Sequence, residues 1–203
     1  MTMHDDTQIQ RVLDLARQKG MLRPGDLRDV GAARVVLTRL TASGQLEKVG
    51  RGLYRLPGIN ASEYETLSAV ATRVPQAVFC LLTALQFHGL TTELPRQVWL
   101  AMPRGSHVPK IDYPPVKMVQ FTGEAYAEGV EVFERDQVGL RVYSVAKTVA
   151  DCFKHRNKIG LDVALEALRD ARAQKKASAG ELWRFAKICR VANAMRPYLE
   201  ATQ

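Results

Sequence analysis

Few residues in this sequence have the types and spacing for covalent chemistry. Ser144-Val145-Ala146-Lys147 matches S-x-x-K, a spacing that in some hydrolases supplies a nucleophile and its base. The tetrapeptide is common by chance. Here it opens the helical pattern SVAKTVADCFKHR, in which serine is a natural N-cap, so it reads as a helix start. The stretch MPRGSH (102–107) brings together Arg104, a glycine and His107, and reads as a solvated loop, with phosphate binding as the alternative. His88 stands beside Gly89 at the end of an apolar run and reads as a core or helix-capping histidine. The four histidines lack metal-ligand spacing, and Glu63 and Glu65 fall on different faces of a helix. No glycine-rich phosphate loop of the P-loop or dinucleotide type is present. The sequence thus leads us to expect no catalytic residues, no metal and no cofactor, in a protein that is not an enzyme.

The basic residues are more informative. Residues 45–58 read QLEKVGRGLYRLPG, two alternating runs around a Gly-Arg-Gly tip. Alternation predicts two strands, and the glycines permit the positive φ that a tight return needs. Nothing in a hairpin requires Arg51 at its tip, or Lys48 and Arg55 on its arms. The net charge of +8 is also unevenly spread: residues 1–60 carry +4, residues 61–150 carry −1 and residues 151–203 carry +5. Such asymmetry fits a polyanionic partner, nucleic acid first among them.

The elements ahead of the hairpin decide what it is for. TQIQRVLDLARQK (7–19) places Ile9, Val12, Leu13 and Ala16 at helical spacing, and Gly20 stops it. MLRPGDLRDVG follows, with Pro24 in the first turn of a short helix that ends at Gly31. AARVVLTRLTASG then runs from 32 to 44. At about 100° per residue, Ala33, Val36, Leu37 and Leu40 should face a core. Val35, Thr38, Arg39 and Ala42 lie opposite, with Arg34 at the flank. Two guanidinium groups, a hydroxyl and small side chains suit a helix in a major groove, although a solvated face would look similar. Three helices followed directly by a hairpin is the order of a winged helix-turn-helix. In that order Arg34, Thr38 and Arg39 become the candidate groove readers. Lys48, Arg51 and Arg55 become the candidate backbone contacts of the wing, adding affinity without sequence information.

The run DLRDVGAARVVLTRLTASGQLEKVGRGLYRLP resembles the winged-helix N-terminal domain of AbiEi-type antitoxins, the antitoxin half of type IV toxin–antitoxin pairs. Ala33 departs from the serine that such proteins often carry there, which removes one expected phosphate contact. The stretches LLTALQFHGLTTELP, VWLAMPRG, VYSVAKTVADCFKHRNKIGLDVALEALRDA and RPYLE resemble the C-terminal domain of the same family. The resemblance implies that the N-terminal domain binds double-stranded DNA at the operon's own promoter. It associates the C-terminal domain with antitoxicity against a cognate nucleotidyltransferase toxin, with or without direct contact.

Beyond residue 60 the residues themselves predict an α+β arrangement. Asn60-Ala61-Ser62 forms a polar junction, and helix resumes near Glu63 until Pro75. AVFCLLTALQFHGL reads as a buried helix. QVWLAM, VKMVQF, VEVFER and LRVYSV read as strands, and the remainder is helical, with a capping box at Ser178 and Glu181. The fold expected is a winged helix-turn-helix over 1–60 and a larger α+β domain over 61–203, with a small sheet wrapped by helices. The run KHRNK closes one helix, where cations complement the helix dipole. Lys154, Arg156 and Lys158 equally suit an antitoxicity surface or a second nucleic-acid surface. Cys80, Cys152 and Cys189 show neither a disulfide framework nor CxxC pairing, and the polar N-terminus does not read as a secretory signal. No apolar run approaches the roughly 20 residues of a membrane span. A cytoplasmic, DNA-binding autorepressor and antitoxin is the leading expectation. The alternative is a stand-alone winged-helix regulator whose C-terminal domain senses a ligand or mediates assembly.

Overall fold

A computed structural model describes residues 3–58 and 62–201, with side chains from Thr7 onward. The expected junction at Asn60-Ala61-Ser62 therefore falls in part outside the described residues. The chain divides into two compact units. One runs to Pro75 and includes Glu134–Leu140, and the other comprises Gln76–Phe133 and Arg141 onward.

The first unit begins with α1 (Met3–Lys19), a single 3-10 segment (Asp26–Val30) and α2 (Val35–Ala42). The hairpin β1 (Glu47–Gly50) and β2 (Leu53–Arg55) follows, then α3 (Glu65–Arg73). Its core holds Val12, Leu13 and Ala16 of α1, Leu27 of the 3-10 segment, and Val36, Leu37 and Leu40 of α2. Each fully buried leucine or valine contributes about 1.5–3 kcal/mol over its exposed state, which is what turns helical periodicity into a fixed face. Leu22 and Tyr54 exchange both backbone hydrogen bonds, at 2.8 and 3.0 Å, giving the wing a third strand position. The core expected of α2 holds except at Ala33. The helix starts only at Val35, so Ala33 lies in the preceding turn and is exposed. Pro24 likewise sits in the turn ahead of the 3-10 segment, which ends at Gly31 in the left-handed region.

Glu134–Leu140 belongs to this unit and holds a two-residue turn, Asp136 and Gln137, both at positive φ. The Asp136 carboxylate accepts from the hydroxyls of Ser62 (2.5 Å) and Ser68 (3.3 Å). The Arg135 guanidinium lies 5.2 Å from the Tyr64 ring centre.

The second unit is built on a five-stranded sheet with strand order β5-β4-β3-β7-β6. The strands are β3 (Val78–Phe79), β4 (Val98–Pro103), β5 (Val116–Phe121), β6 (Val130–Arg135) and β7 (Val138–Tyr143). β3 pairs antiparallel with β4 and parallel with β7, and β4 runs parallel to β5. The helices are α4 (Leu81–Phe87), α5 (Glu124–Ala127), α6 (Val145–Lys154), α7 (Arg156–Ile159), α8 (Leu161–Ala173), α9 (Ala179–Ile188) and α10 (Ala192–Ala201). The expected buried helix over AVFCLLTALQFHGL is corrected at its start. Val78–Phe79 forms the central strand, and Cys80 is the extended residue that opens a shorter α4. A continuous apolar run has no period by which to separate a buried strand from a buried helix. Pairing with Leu100, Ala101 and Val142 makes the choice.

Residues 146–153 of α6 are buried without interruption, including Lys147, Thr148 and Asp151. Lys147 Nζ donates to Asp151 Oδ2 at 2.5 Å and lies 3.9 Å from the Tyr143 ring centre and 4.7 Å from that of Phe121. The Cys189 thiol donates to the other carboxylate oxygen, Oδ1, at 3.2 Å. Gly129 packs against this helix at φ +76, where an added Cβ would stand 2.8 Å from the Lys147 Cβ and 2.9 Å from the Phe185 ring. Only glycine fits there.

Candidate nucleic-acid interface

The face of α2 away from the core carries Val35, Thr38, Arg39 and Ala42, all exposed, with exposed Arg34 at the helix start. Val35 is 51% exposed, and an apolar side chain offered to solvent on this face could meet a thymine methyl. The back of the helix holds it in place through Val36, Leu37 and Leu40.

A tight connection joins α2 to the wing. Gln45 and Leu46 both donate backbone N–H to Leu40 O, at 2.9 and 3.0 Å, and Gly44 N donates to Thr41 O at 3.2 Å. Two carbonyls left open by the last helical turn, those of Leu40 and Thr41, are thereby satisfied, and β1 starts within a few residues. In the hairpin Glu47 faces Arg55 and Lys48 faces Tyr54, with a bulge before Gly50 pairs with Leu53. Gly52 supplies the positive φ (+66) of the tip, beside exposed Arg51. The Arg51 carbonyl accepts from Arg73 Nη2 of α3 at 3.2 Å, which anchors the tip.

Five of the six predicted DNA contacts, Arg34, Thr38, Arg39, Lys48 and Arg51, are exposed on these two adjoining elements. Arg55 differs. Its side chain is only 14% exposed, its Nε is bound to Glu47 Oε1, and its Nη1 reaches Glu65 Oε1 at 2.9 Å. Two carboxylates neutralise this guanidinium, so it ties β2 to β1 and α3. No sequence signal marked a second ion cluster in this unit, around Asp26. Asp26 accepts from the backbone N–H of Arg23 (2.7 Å), from Arg23 Nη2 (3.2 Å) and from Lys19 Nζ (3.3 Å). Burial opposes ionisation of Asp26, but the bonds from Arg23 and the charges of Arg23 and Lys19 outweigh it and hold the carboxyl below its usual range.

The second unit holds the other predicted cluster. Lys154 and Arg156 line one concavity of about 650 Å³, together with Lys187 and Arg190 from the end of α9. Lys158 is exposed on α7 but does not line it. Lys187 and Arg190 come from a segment some thirty residues away, and no spacing in the sequence linked them to KHRNK. Burial and the neighbouring charges of Lys158, Lys154 and Lys147 push His155 down to about 4, so its ring is neutral at neutral pH.

Of the residues set aside in the sequence, Ser144, Lys147, His88 and Glu65 have structural partners. Ser144 caps α6, its Oγ accepting from Lys147 N, while the Lys147 ammonium is held by Asp151. His88 caps α4 and donates from Nε2 to Tyr143 O at 2.7 Å. Glu65 serves Arg55, and Glu63 is exposed. Arg104 and His107 are exposed in their loop. Among the described residues, no group of His, Cys, Asp and Glu could hold a metal ion.

Helix, short helix, helix and basic wing make up a winged-helix module. Residues 10–57, which reach from within α1 to just past β2, match the family model for the transcriptional regulator, AbiEi antitoxin. The resemblance read from the sequence therefore holds over the winged helix, and that family is one of regulators, not of enzymes. Across most of the chain the fold is similar to the crystal structure of the RV2827C protein from Mycobacterium tuberculosis. The TM-score is 0.57 at 17% identity, over 89% of this chain and 71% of that one, a likeness of fold alone. No curated protein matches the chain. Among the described residues, no helix is long and apolar enough to cross a membrane.

Proposed function

We propose that this protein is a cytoplasmic DNA-binding antitoxin that represses its own operon and opposes a nucleotidyltransferase toxin. One observation carries the DNA-binding part. Arg34, Thr38 and Arg39 stand exposed on a helix whose core face is fully packed, and the basic wing follows it through a hydrogen-bonded turn. α2 would enter the major groove, where either arginine can fork to guanine, and Lys48 and Arg51 would neutralise phosphates alongside. Arg55 supports the wing from behind. We assign DNA binding to residues 1–60 and antitoxicity to residues 61–203, where Lys154, Arg156 and Lys158 offer a cationic surface.

The full chain should shift a duplex of its own upstream region at concentrations that leave a scrambled duplex free. Arg34→Ala and Arg39→Ala, checked for intact folding by thermal melting, should abolish that preference. Equal affinity for both duplexes would refute promoter recognition. For antitoxicity, the full chain should rescue growth when the neighbouring toxin is expressed from a foreign promoter, where repression has no part. Rescue should survive Arg34→Ala/Arg39→Ala and weaken when Lys154, Arg156 and Lys158 are all changed to Glu. Absence of rescue by the folded wild-type chain would leave the stand-alone regulator as the function. That second reading has its own support in the basic concavity of the second unit, where four cations from separate elements converge.

A further inference from the structure

Lys154, Arg156, Lys187 and Arg190 reach one concavity from three places: the end of α6, the start of α7 and the end of α9. Its remaining lining is the first turn of α10 and the residues before it, and no carboxylate lines it. Among the described residues, none of the four cations is paired with a carboxylate. Arg156 bonds a backbone carbonyl, Phe153 O, at 2.8 Å. Helix-end cations need not converge to complement a dipole. Placing four together without a counter-ion costs repulsion.

A second concavity, of about 620 Å³, shares Lys154, Lys187 and Arg190 with the first. Its other walls are different in kind: they include Phe121, Ala125 and Ile188, and two carboxylates, Glu124 and Asp151, the second already held by Lys147. Phe121 is itself fixed, with the Lys147 ammonium over its ring at 4.7 Å and the rings of Tyr143 and His155 against it at 5.9 and 5.5 Å. Each volume falls within the range of small-molecule sites, roughly 300–1,000 Å³. A surface that tracks a duplex would instead spread its cations along a stripe.

We propose that the second unit binds a nucleoside polyphosphate across these two concavities. The phosphates lie over Lys187, Arg190, Lys154 and Arg156, where arginine can hold phosphate oxygens bidentately and lysine as a point charge. The base and ribose occupy the neighbouring space beside Phe121 and Ile188, where Glu124 can accept from an amino or hydroxyl group. This inference does not depend on the winged helix or on a toxin.

The test is calorimetric titration of the full-length protein with ATP, tripolyphosphate and adenosine. ATP should bind saturably with a Kd below about 1 mM, tighter than tripolyphosphate, with adenosine alone giving no saturation. Lys187→Ala and Arg190→Ala, both at exposed positions, should each weaken ATP at least tenfold and leave the melting temperature nearly unchanged. Lys175→Ala, an exposed lysine elsewhere in this unit, should leave ATP binding unaltered. Failure of ATP to saturate, or equal binding by both variants and wild type, overturns the site. Tripolyphosphate binding as tightly as ATP overturns the nucleoside assignment. If instead both variants lose affinity for duplex DNA, and excess ATP does not compete with it, the concavity is a backbone surface and the proposal fails.

Discussion

The two units use the same cationic side chains to opposite geometric ends. In the first, Arg34, Arg39, Lys48 and Arg51 are displayed outward from one helix face and a hairpin, with the buried face of α2 packed behind them. In the second, Lys154, Arg156, Lys187 and Arg190 are gathered from helix ends around a hollow. A displayed face suits a groove or a backbone, whereas a hollow of small-molecule size suits a compact anion. Charge counting along the chain gives +4 and +5 for the two end segments and cannot tell these apart.

The units also hold their least exposed ions differently. Asp26 is buried but is met by Lys19 and Arg23, whose side chains are over a third exposed. Lys147 and Asp151 are both wholly buried, ringed by Tyr143 and Phe121 and closed by the Cys189 thiol. The sharpest way to test that contrast is to leave one ion alone. Lys147→Met should destabilise the protein by about 3–5 kcal/mol in urea unfolding, because Asp151 then lies in the core without its partner. Lys147→Met/Asp151→Leu should recover most of that loss, since two apolar side chains need no counter-charge. A loss below 1 kcal/mol in the single variant, on the scale of an exposed pair, would erase the distinction.

Removing the charge of Asp26 should cost less, about 1–3 kcal/mol for Asp26→Asn, because its partners can turn to water. Its pH dependence has a definite sign. The carboxyl titrates lower in the folded protein than in the unfolded chain, so its stabilisation is complete above the ordinary carboxylate range and is lost as pH falls through the depressed folded value. The acid limb of a stability–pH curve should flatten in Asp26→Asn, and an unchanged limb would refute the assignment.

On the displayed face, Arg39→Ala should weaken binding to the cognate duplex by about 1–3 kcal/mol while leaving non-specific binding nearly as it was. Ser144→Ala should lower stability by about 0.5–2 kcal/mol as a lost cap. Stoichiometric labelling of Ser144 by a serine-directed reagent would instead revive the nucleophile. The smallest effect separates two arginines of one hairpin. Arg51→Ala should reduce the salt slope of duplex binding by about 0.9. Arg55→Ala should leave that slope unchanged and lower the melting temperature, because its charge is already neutralised by Glu47 and Glu65.

Local sequence was sufficient wherever a single element determines its own exposure. The buried side of α2 was legible from a 3.6-residue period because one helix face must pack, whatever it packs against. The wing was legible from alternation and from glycines that only a tight return requires. Ser144 and Ser178 were legible as caps because a cap bonds within its own first turn.

Features that needed partners distant in the chain were not legible. Val78–Phe79 became a strand because Leu100, Ala101 and Val142 stood ready to pair with it, and its own apolar run carried no period. Arg55 looked like its neighbours on the wing until Glu65 arrived from α3. Glu134–Leu140 joins the first unit through hydrogen bonds from Ser62 and Ser68 to Asp136, seventy residues away in the chain. Lys187 and Arg190 meet Lys154 only because α6 and α9 end side by side. Periodicity and capping are set by covalent neighbours and can be read along the chain. Which charges are neutralised, and which are gathered around a hollow, depends on long-range packing that brings side chains from separate elements within reach.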